Sequence, residues 1–159
     1  RYEPEYLTAI RARNDLQMNL VLDRAGEMLD GGVAGKRICL FGLAFNPGTN
    51  DVRTSLSLRI ARHLSDDGAS VAGHDPVAID EARELMPDID YRNDPYDAAS
   101  EADLLLVLTA WPEYRKLDPG RLREAMRTPR VFDGQNALDR AGLTGAGFSY
   151  RSVGRPDLE

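Results

Sequence analysis

The stretch that decides the fold is KRICLFGLAFNPGTNDVR, from Lys36 to Arg53. Its first part, residues 37–43, is short, apolar and rich in strand-forming residues, which indicates a parallel strand buried on both faces. Residues 44–51 contain proline, glycine, asparagine and aspartate and are typical of a turn. From Thr54 onward the apolar residues return at helical spacing. The sequence therefore predicts a strand, a loop and a helix, an arrangement that points backbone N–H groups at an anion.

The loop matches neither of the two common phosphate-binding motifs. A dinucleotide fingerprint needs G-x-G-x-x-G, whereas the glycines here are Gly42 and Gly48 with none between them. A Walker loop needs Gly-Lys-Ser/Thr, whereas Gly48 is followed directly by Thr49. The pattern leaves two interpretations open, an anion-binding loop and a plain connecting loop.

Residues 35–64 closely resemble the start of the C-terminal domain of the UDP-glucose/GDP-mannose dehydrogenase family. That family's pattern is a strand, then G-[LF]-[AS]-F-K-x-x-T-x-D-x-R, then a helix. Three later segments match the same domain in the same order: HDPVA (74–78), ADLLLVLTAWPEY (102–114) and VFDGQNAL (131–138). The resemblance implies a Rossmann-like domain that binds the UDP-sugar of an NAD-dependent UDP-glucose 6-dehydrogenase. Enzymes of this kind oxidise the sugar C6 alcohol to a uronic acid.

The same resemblance implies four site residues. Phe45 and Asn46 stand where the family contacts the nucleotide sugar, and Gln135 stands where an arginine contacts substrate. Arg53 matches an arginine that reaches the NAD site, although a salt bridge or a capping contact would also explain it. Asn46 replaces the family's lysine and Gln135 replaces the arginine of D-G-R-N, so two cations are missing from a diphosphate site. Three explanations stay open: other residues compensate for the missing cations, the substrate differs, or activity has been lost.

The resemblance also implies NAD as the cofactor, bound mainly by an N-terminal domain that we expect to lie outside these 159 residues. The family's catalytic cysteine is expected there too, so the isolated chain should be inactive. The expected partners are a UDP-sugar and other copies of the full-length protein, as a homodimer or higher oligomer. A second hypothesis is a non-catalytic nucleotide-sugar-binding or assembly module of the same fold.

Length and composition exclude several classes of protein. The 159 residues suffice for about one domain, and the net charge of −6 with scattered basic residues argues against a nucleic-acid partner. No apolar run approaches the ~20 residues that cross a membrane. The single cysteine, Cys39, fits a reducing cytoplasm and is predicted to be a buried thiol rather than a nucleophile. Neither a catalytic constellation nor metal-ligand spacing is present; His63 is expected on a solvated helix face and His74 at a loop edge.

A long amphipathic helix is predicted between residues 4 and 30, with Gly31 and Gly32 after it. One interpretation packs this helix onto the domain that follows. The other makes residues 1–32 a connector from a missing central domain, which the start at Arg1 without a methionine favours. Residues 33–159 would then form the nucleotide-sugar-binding C-terminal domain.

Strands alternate with helices after residue 36, which predicts an α/β fold with a doubly wound, mostly parallel sheet. The loops at residues 44–53, 109–114 and 133–136 should open on one edge of that sheet, where such folds bind ligands. Asp75, before Pro76, is interpreted as the N-cap of a helix, with a ribose ligand as the alternative. Trp111 is interpreted as a packing residue rather than a base-stacking platform.

Overall fold

The computed structural model describes the backbone of residues 5–155 and the side chains of residues 12–155. Within this range, six strands form one sheet in the order β3-β2-β1-β4-β5-β6, and every neighbouring pair is parallel. The predicted doubly wound fold is confirmed, because the strand order reverses between β1 and β4. The strands are β1 (Arg37–Phe41), β2 (Ser70–His74), β3 (Asp90–Tyr91), β4 (Leu104–Val107), β5 (Arg130–Asp133) and β6 (Ser149–Ser152).

The helices alternate with these strands. They are α1 (Glu5–Met28), α2 (Leu56–Asp66), α3 (Ile79–Leu85), α4 (Pro95–Ala98), α5 (Pro119–Ala125) and α6 (Arg140–Gly145), with a 3-10 helix at Pro112–Lys116. The sequence did not predict α6 or the 3-10 helix, because such short elements contain too few residues to show a period. Several helix starts are capped by side chains: Ser55 accepts a hydrogen bond from the N–H of Leu58, and Asp118 accepts one from the N–H of Arg121.

The two central strands form the middle of the core. All four residues of β4 and residues 38–41 of β1 are completely buried, as their uninterrupted apolar sequences predicted. Cys39 lies among them, so the prediction of a buried thiol is confirmed. Because β1 and β4 are neighbours at the point where the strand order reverses, their carboxyl ends mark the position where folds of this class bind ligands.

The first helix packs against this core over its second half. Met18, Val21, Ala25 and Met28 are buried, and the helix contacts α2, β4 and β5. With 24 residues it is ~36 Å long. None of the helices within residues 5–155 combines the length and apolar character needed to cross a bilayer. Residues 1–4 lie outside the described range, and the division of the chain at residue 32 stays a prediction.

Candidate functional site

The loops after β1 and β4 touch at Gly42 and Thr109. Gly42 has φ +91°, and a Cβ added there would lie 2.4 Å from Cβ of Thr109. Only glycine fits a backbone with this positive φ and so close a neighbour. The hydroxyl of Thr109 donates to the carbonyl oxygen of Ala44 at 2.8 Å. The two loops are therefore held together at the carboxyl edge of the sheet, as the parallel fold predicted.

A buried carboxylate, that of Asp75, connects three loops at this edge. Asp75 is only 2% exposed. Its Oδ2 accepts from the N–H of Leu43 at 2.8 Å, the N–H of Ala44 at 3.1 Å and Nε1 of Trp111 at 3.0 Å. Its Oδ1 accepts from the N–H groups of Val77 and Ala78, both at 3.0 Å.

The interpretation of Asp75 as a helix cap is wrong. Helix α3 begins at Ile79, its N-cap residue is Ala78, and no side chain caps it. The carboxylate turns instead toward the loop after β1. The backbone N–H groups of Leu43 and Ala44, which a phosphate would use in a dinucleotide fold, already donate to it. The described residues after β1 therefore do not fit the pyrophosphate of NAD.

Trp111 and Tyr114 anchor the 3-10 helix to the end of β2. Trp111 is 6% exposed and bonded to Asp75, which confirms it as a packing residue. Tyr114 stacks on Phe41 with 4.8 Å between ring centroids, and its hydroxyl donates to the carbonyl oxygen of His74 at 3.0 Å. Nδ1 of His74 lies 3.0 Å from the same hydroxyl. His74 is thus buried rather than at a loop edge, and burial lowers its pKa.

A second buried carboxylate, Asp133, shapes the loop after β5. Asp133 is fully buried, and its oxygens accept from the backbone N–H groups of Gln135, Ala137 and Leu138 at 2.9–3.1 Å. The hydroxyl of Tyr150 donates to it at 2.9 Å. These bonds fix the backbone on both sides of Gln135 and leave its side chain exposed at the sheet edge.

Phe45 and Gln135 line one cleft of about 130 Å³, which we call the inner cleft. Its walls are helix α1, the start of helix α2 and the loops after β1, β4 and β5. Phe45 is 55% exposed, so its aromatic ring is accessible to a ligand. Asn46 follows it, exposed, but is not among the residues that line the cleft. The structure therefore brings together two of the three residues expected to contact substrate.

Gln135 also lines a larger neighbouring cleft of about 470 Å³, which we call the outer cleft. Its opposite wall is the 3-10 helix with the residue before it, including Trp111, Arg115 and Lys116. The sequence analysis did not select Arg115 or Lys116. The signal available was the pair of adjacent cations directly after W-P-E-Y, but their position at the sheet edge depends on a 3-10 helix that the sequence did not predict.

Arg53 lies apart from both clefts. It lines a separate depression of about 320 Å³ beside α2 and α3, together with Arg59 and His63. Its guanidinium donates two hydrogen bonds to the carboxylate of Asp51, from Nε at 3.0 Å and from Nη2 at 2.8 Å. This pairing lowers the pKa of Asp51 to about 2. The salt bridge offered as an alternative is present, and the role of Arg53 toward NAD stays a prediction.

The described residues offer neither an activated cysteine nor a cluster of metal ligands. Cys39 is fully buried, and burial raises the pKa of its thiol, so it is a poor nucleophile. Within the described range, no three His, Cys, Asp or Glu side chains are grouped to hold a metal ion.

Comparison with known proteins identifies the family of this chain. Residues 39–140 match the UDP-glucose/GDP-mannose dehydrogenase family, UDP binding domain. The chain belongs to this family. A UDP-glucose 6-dehydrogenase of Rhizobium meliloti is 42% identical over 127 residues, which cover 80% of this chain and 29% of that protein. A UDP-glucose 6-dehydrogenase of Pseudomonas aeruginosa is 36% identical over 161 residues, which cover 98% of this chain and 36% of that protein. The chain thus spans about a third of the length of these relatives.

Solved structures show the same fold. A UDP-glucose dehydrogenase from the hyperthermophilic archaeon Pyrobaculum islandicum superposes with a TM-score of 0.75 at 31% identity, covering 91% of this chain and 31% of that one. An NDP-N-acetyl-D-galactosaminuronic acid dehydrogenase from Methanosarcina mazei Go1 gives a TM-score of 0.78 at 24% identity, covering 98% and 32%. At that identity the second likeness concerns the fold alone.

Proposed function

We propose that this member of the family is the C-terminal nucleotide-sugar-binding domain of an NAD-dependent UDP-glucose 6-dehydrogenase. The observation that carries the proposal is the inner cleft, where Phe45 and Gln135 face a common space at the carboxyl edge of the sheet. Family membership, based on residues 39–140, supports a UDP-sugar as the ligand. Relatives at 36–42% identity are UDP-glucose 6-dehydrogenases.

Each site residue has a distinct role in this proposal. Phe45 offers an exposed aromatic face to the base or ribose, since aromatic rings stack on such groups at little entropic cost. The amide of Gln135 can donate one hydrogen bond and accept another. Asn46 is exposed next to Phe45 and would contact the part of the ligand that extends beyond the inner cleft. In this proposal the chain binds and orients the ligand, and none of these residues forms a covalent bond to the sugar.

NAD accepts the hydride in dehydrogenases of this kind, and the backbone N–H groups of Leu43 and Ala44 after β1 already donate to Asp75. We therefore propose that NAD is bound by another domain of the enzyme and that Arg53 reaches it from the rim. The proposal keeps residues 1–32 as a connector and residues 33–159 as the binding domain. It also includes a cytoplasmic location and a homodimer or higher oligomer.

The test is a titration of the isotope-labelled chain with UDP-glucose, followed by amide resonances. We expect shifts at Phe45, Asn46 and Gln135, and none at Gly68 or Glu101, which lie near the opposite ends of the strands. Glucose alone serves as the matched ligand control and should shift nothing. If UDP-glucose at millimolar concentration moves none of the three site amides, the proposed function is wrong.

The catalytic part of the proposal needs a different assay. The chain alone should not reduce NAD with UDP-glucose, because its single cysteine is buried in β1 and it lacks a dinucleotide loop. The full-length dehydrogenase of this proposal should reduce NAD with UDP-glucose. A gene product that binds UDP-glucose but never reduces NAD would instead favour the non-catalytic module.

A further inference from the structure

The outer cleft has the chemistry of an anion site. Of the described residues that line it, two are cationic, Arg115 and Lys116, and none is acidic. Glu113, on the same 3-10 helix, is not among the lining residues. Two adjacent cations on one wall are significant in a protein whose net charge is −6, because the overall field repels anions.

Both cations are available to a ligand. Arg115 and Lys116 are exposed, and neither forms an ion pair with the side chains of residues 12–155. A cleft of about 450 Å³ between α1 and β6 differs in this respect. It also contains two arginines, but Arg130 pairs with Asp30 at 3.0 Å and Arg151 pairs with Glu27 at 3.5 Å.

Both walls of the outer cleft are fixed from beneath. Asp75 holds Trp111 at the start of the 3-10 helix, and the buried ring of Tyr114 directly precedes the two cations. On the facing wall, Asp133 holds the backbone at Gln135. A site with fixed walls loses little conformational entropy when a ligand binds, which favours affinity.

Gln135 connects this site to the inner cleft. It lines both clefts, so a ligand with an aromatic end near Phe45 and an anionic end near Arg115 would pass over its amide. A nucleoside diphosphate has this form. Hydrogen bonds from cations to phosphate oxygens are short and strong, and arginine can bind two oxygens at once.

We propose that Arg115 and Lys116 bind the diphosphate of the nucleotide sugar in the outer cleft, where they take the place of the cations absent at Asn46 and Gln135. This inference rests on the proposed function for the identity of the ligand. The diphosphate would lie between the 3-10 helix and the loop after β5. The side-chain amide of Gln135, at the junction of the two clefts, would donate a hydrogen bond to it.

The test compares two double variants of the whole chain with equal loss of charge. The test variant is Arg115→Gln with Lys116→Gln; the control is Lys36→Gln with Arg123→Gln, at two cations that line neither cleft. Binding of UDP, uridine and inorganic pyrophosphate is measured by isothermal titration at low and moderate salt. Thermal melting establishes that both variants fold. Fluorescence of Trp111, the only tryptophan, reports independently on the outer cleft.

We expect the test variant to bind UDP about tenfold more weakly per cation removed, or ~100-fold in all, and the control to change less than about threefold. Uridine affinity should stay the same in both variants. The salt dependence of UDP binding should become shallower in the test variant only, because fewer charged contacts remain to be screened.

The possible failures are distinguishable. If wild type binds UDP and the test variant binds it equally well, the assignment of Arg115 and Lys116 is wrong and the proposed function stands. If wild type binds pyrophosphate but not UDP, and only the test variant loses pyrophosphate, the anion site is supported and the nucleotide function is wrong. If wild type binds neither ligand, both proposals are overturned.

Discussion

Oδ2 of Asp75 and Nε1 of Trp111 are joined by a hydrogen bond of 3.0 Å beneath the carboxyl edge of the sheet. Asp75 follows β2 and Trp111 follows β4, so this bond spans β1, which lies between those two strands. The same oxygen accepts from the two backbone N–H groups after β1. One carboxylate thereby determines the relative positions of three loops, and both clefts depend on it.

Replacing this carboxylate should therefore loosen the whole edge. In Asp75→Asn, an NH2 group replaces one of the two carboxylate oxygens. The buried N–H groups that donate to that oxygen then face another donor and have no acceptor. We expect the free energy of unfolding to fall by about 2–4 kcal/mol in urea denaturation. Asp80→Asn is the control, since Asp80 is exposed and forms an exposed ion pair with Arg83, and it should cost less than about 0.5 kcal/mol. Equal losses in the two variants would contradict the role of Asp75.

Gly42 should tolerate no side chain. In Gly42→Ala the new Cβ would lie 2.4 Å from Thr109 Cβ and 2.6 Å from its backbone nitrogen, at a φ of +91°. Backbone must move to relieve such contacts, so we expect a loss of at least ~2 kcal/mol in urea denaturation. Gly26→Ala is the matched control, because Gly26 lies in α1 with no neighbour within 4 Å of an added Cβ. It should gain up to ~1 kcal/mol. A stable Gly42→Ala protein would show that the two loops can separate.

The sequence predicted those features that depend on neighbouring residues along the chain. The apolar runs of β1 and β4 identified the central strands, and parallel pairing alone placed the loops around Phe45 and Gln135 on one edge. Asp75 was misinterpreted because Asp-Pro fits a helix start locally, whereas its partners Leu43 and Trp111 lie 32 and 36 residues away. The positions of Arg115 and Lys116 likewise depend on Tyr114 packing against Phe41, a long-range contact without a sequence pattern.

Stability should fall as His74 is forced to take up a proton. Burial lowers the pKa of His74 in the folded state, and the carboxylates of Asp75, Asp94 and Glu113 oppose this shift only in part. Between the folded pKa and the unfolded value of about 6.5, the unfolded chain binds more protons, so stability decreases as pH falls through this window. Urea denaturation at pH 7.5 and 5.5 should show a loss in wild type that is smaller in His74→Gln.

His63→Gln is the matched control for that experiment, because it makes the same substitution at an exposed position on α2. The pH range stays above the region where Asp51 and Asp90 titrate, since their pKa values are lowered by Arg53 and Arg92. If His63→Gln rather than His74→Gln removes the pH dependence, burial of His74 does not cause it.

Restoring the two family cations should distinguish a position within the site from one on its rim. Gln135→Arg places a guanidinium at the junction of the two clefts, so we expect UDP to bind about tenfold more tightly at low salt. Asn46→Lys should give less, about threefold, because Asn46 is exposed and lines neither cleft, and solvent screens its charge. Asn19→Lys adds the same charge on α1, away from both clefts, and should change nothing. Titration of UDP into each single variant decides the matter. If Gln135→Arg leaves UDP affinity unchanged while Asn46→Lys raises it, the diphosphate lies over the loop after β1, and the junction of the two clefts is not where it binds.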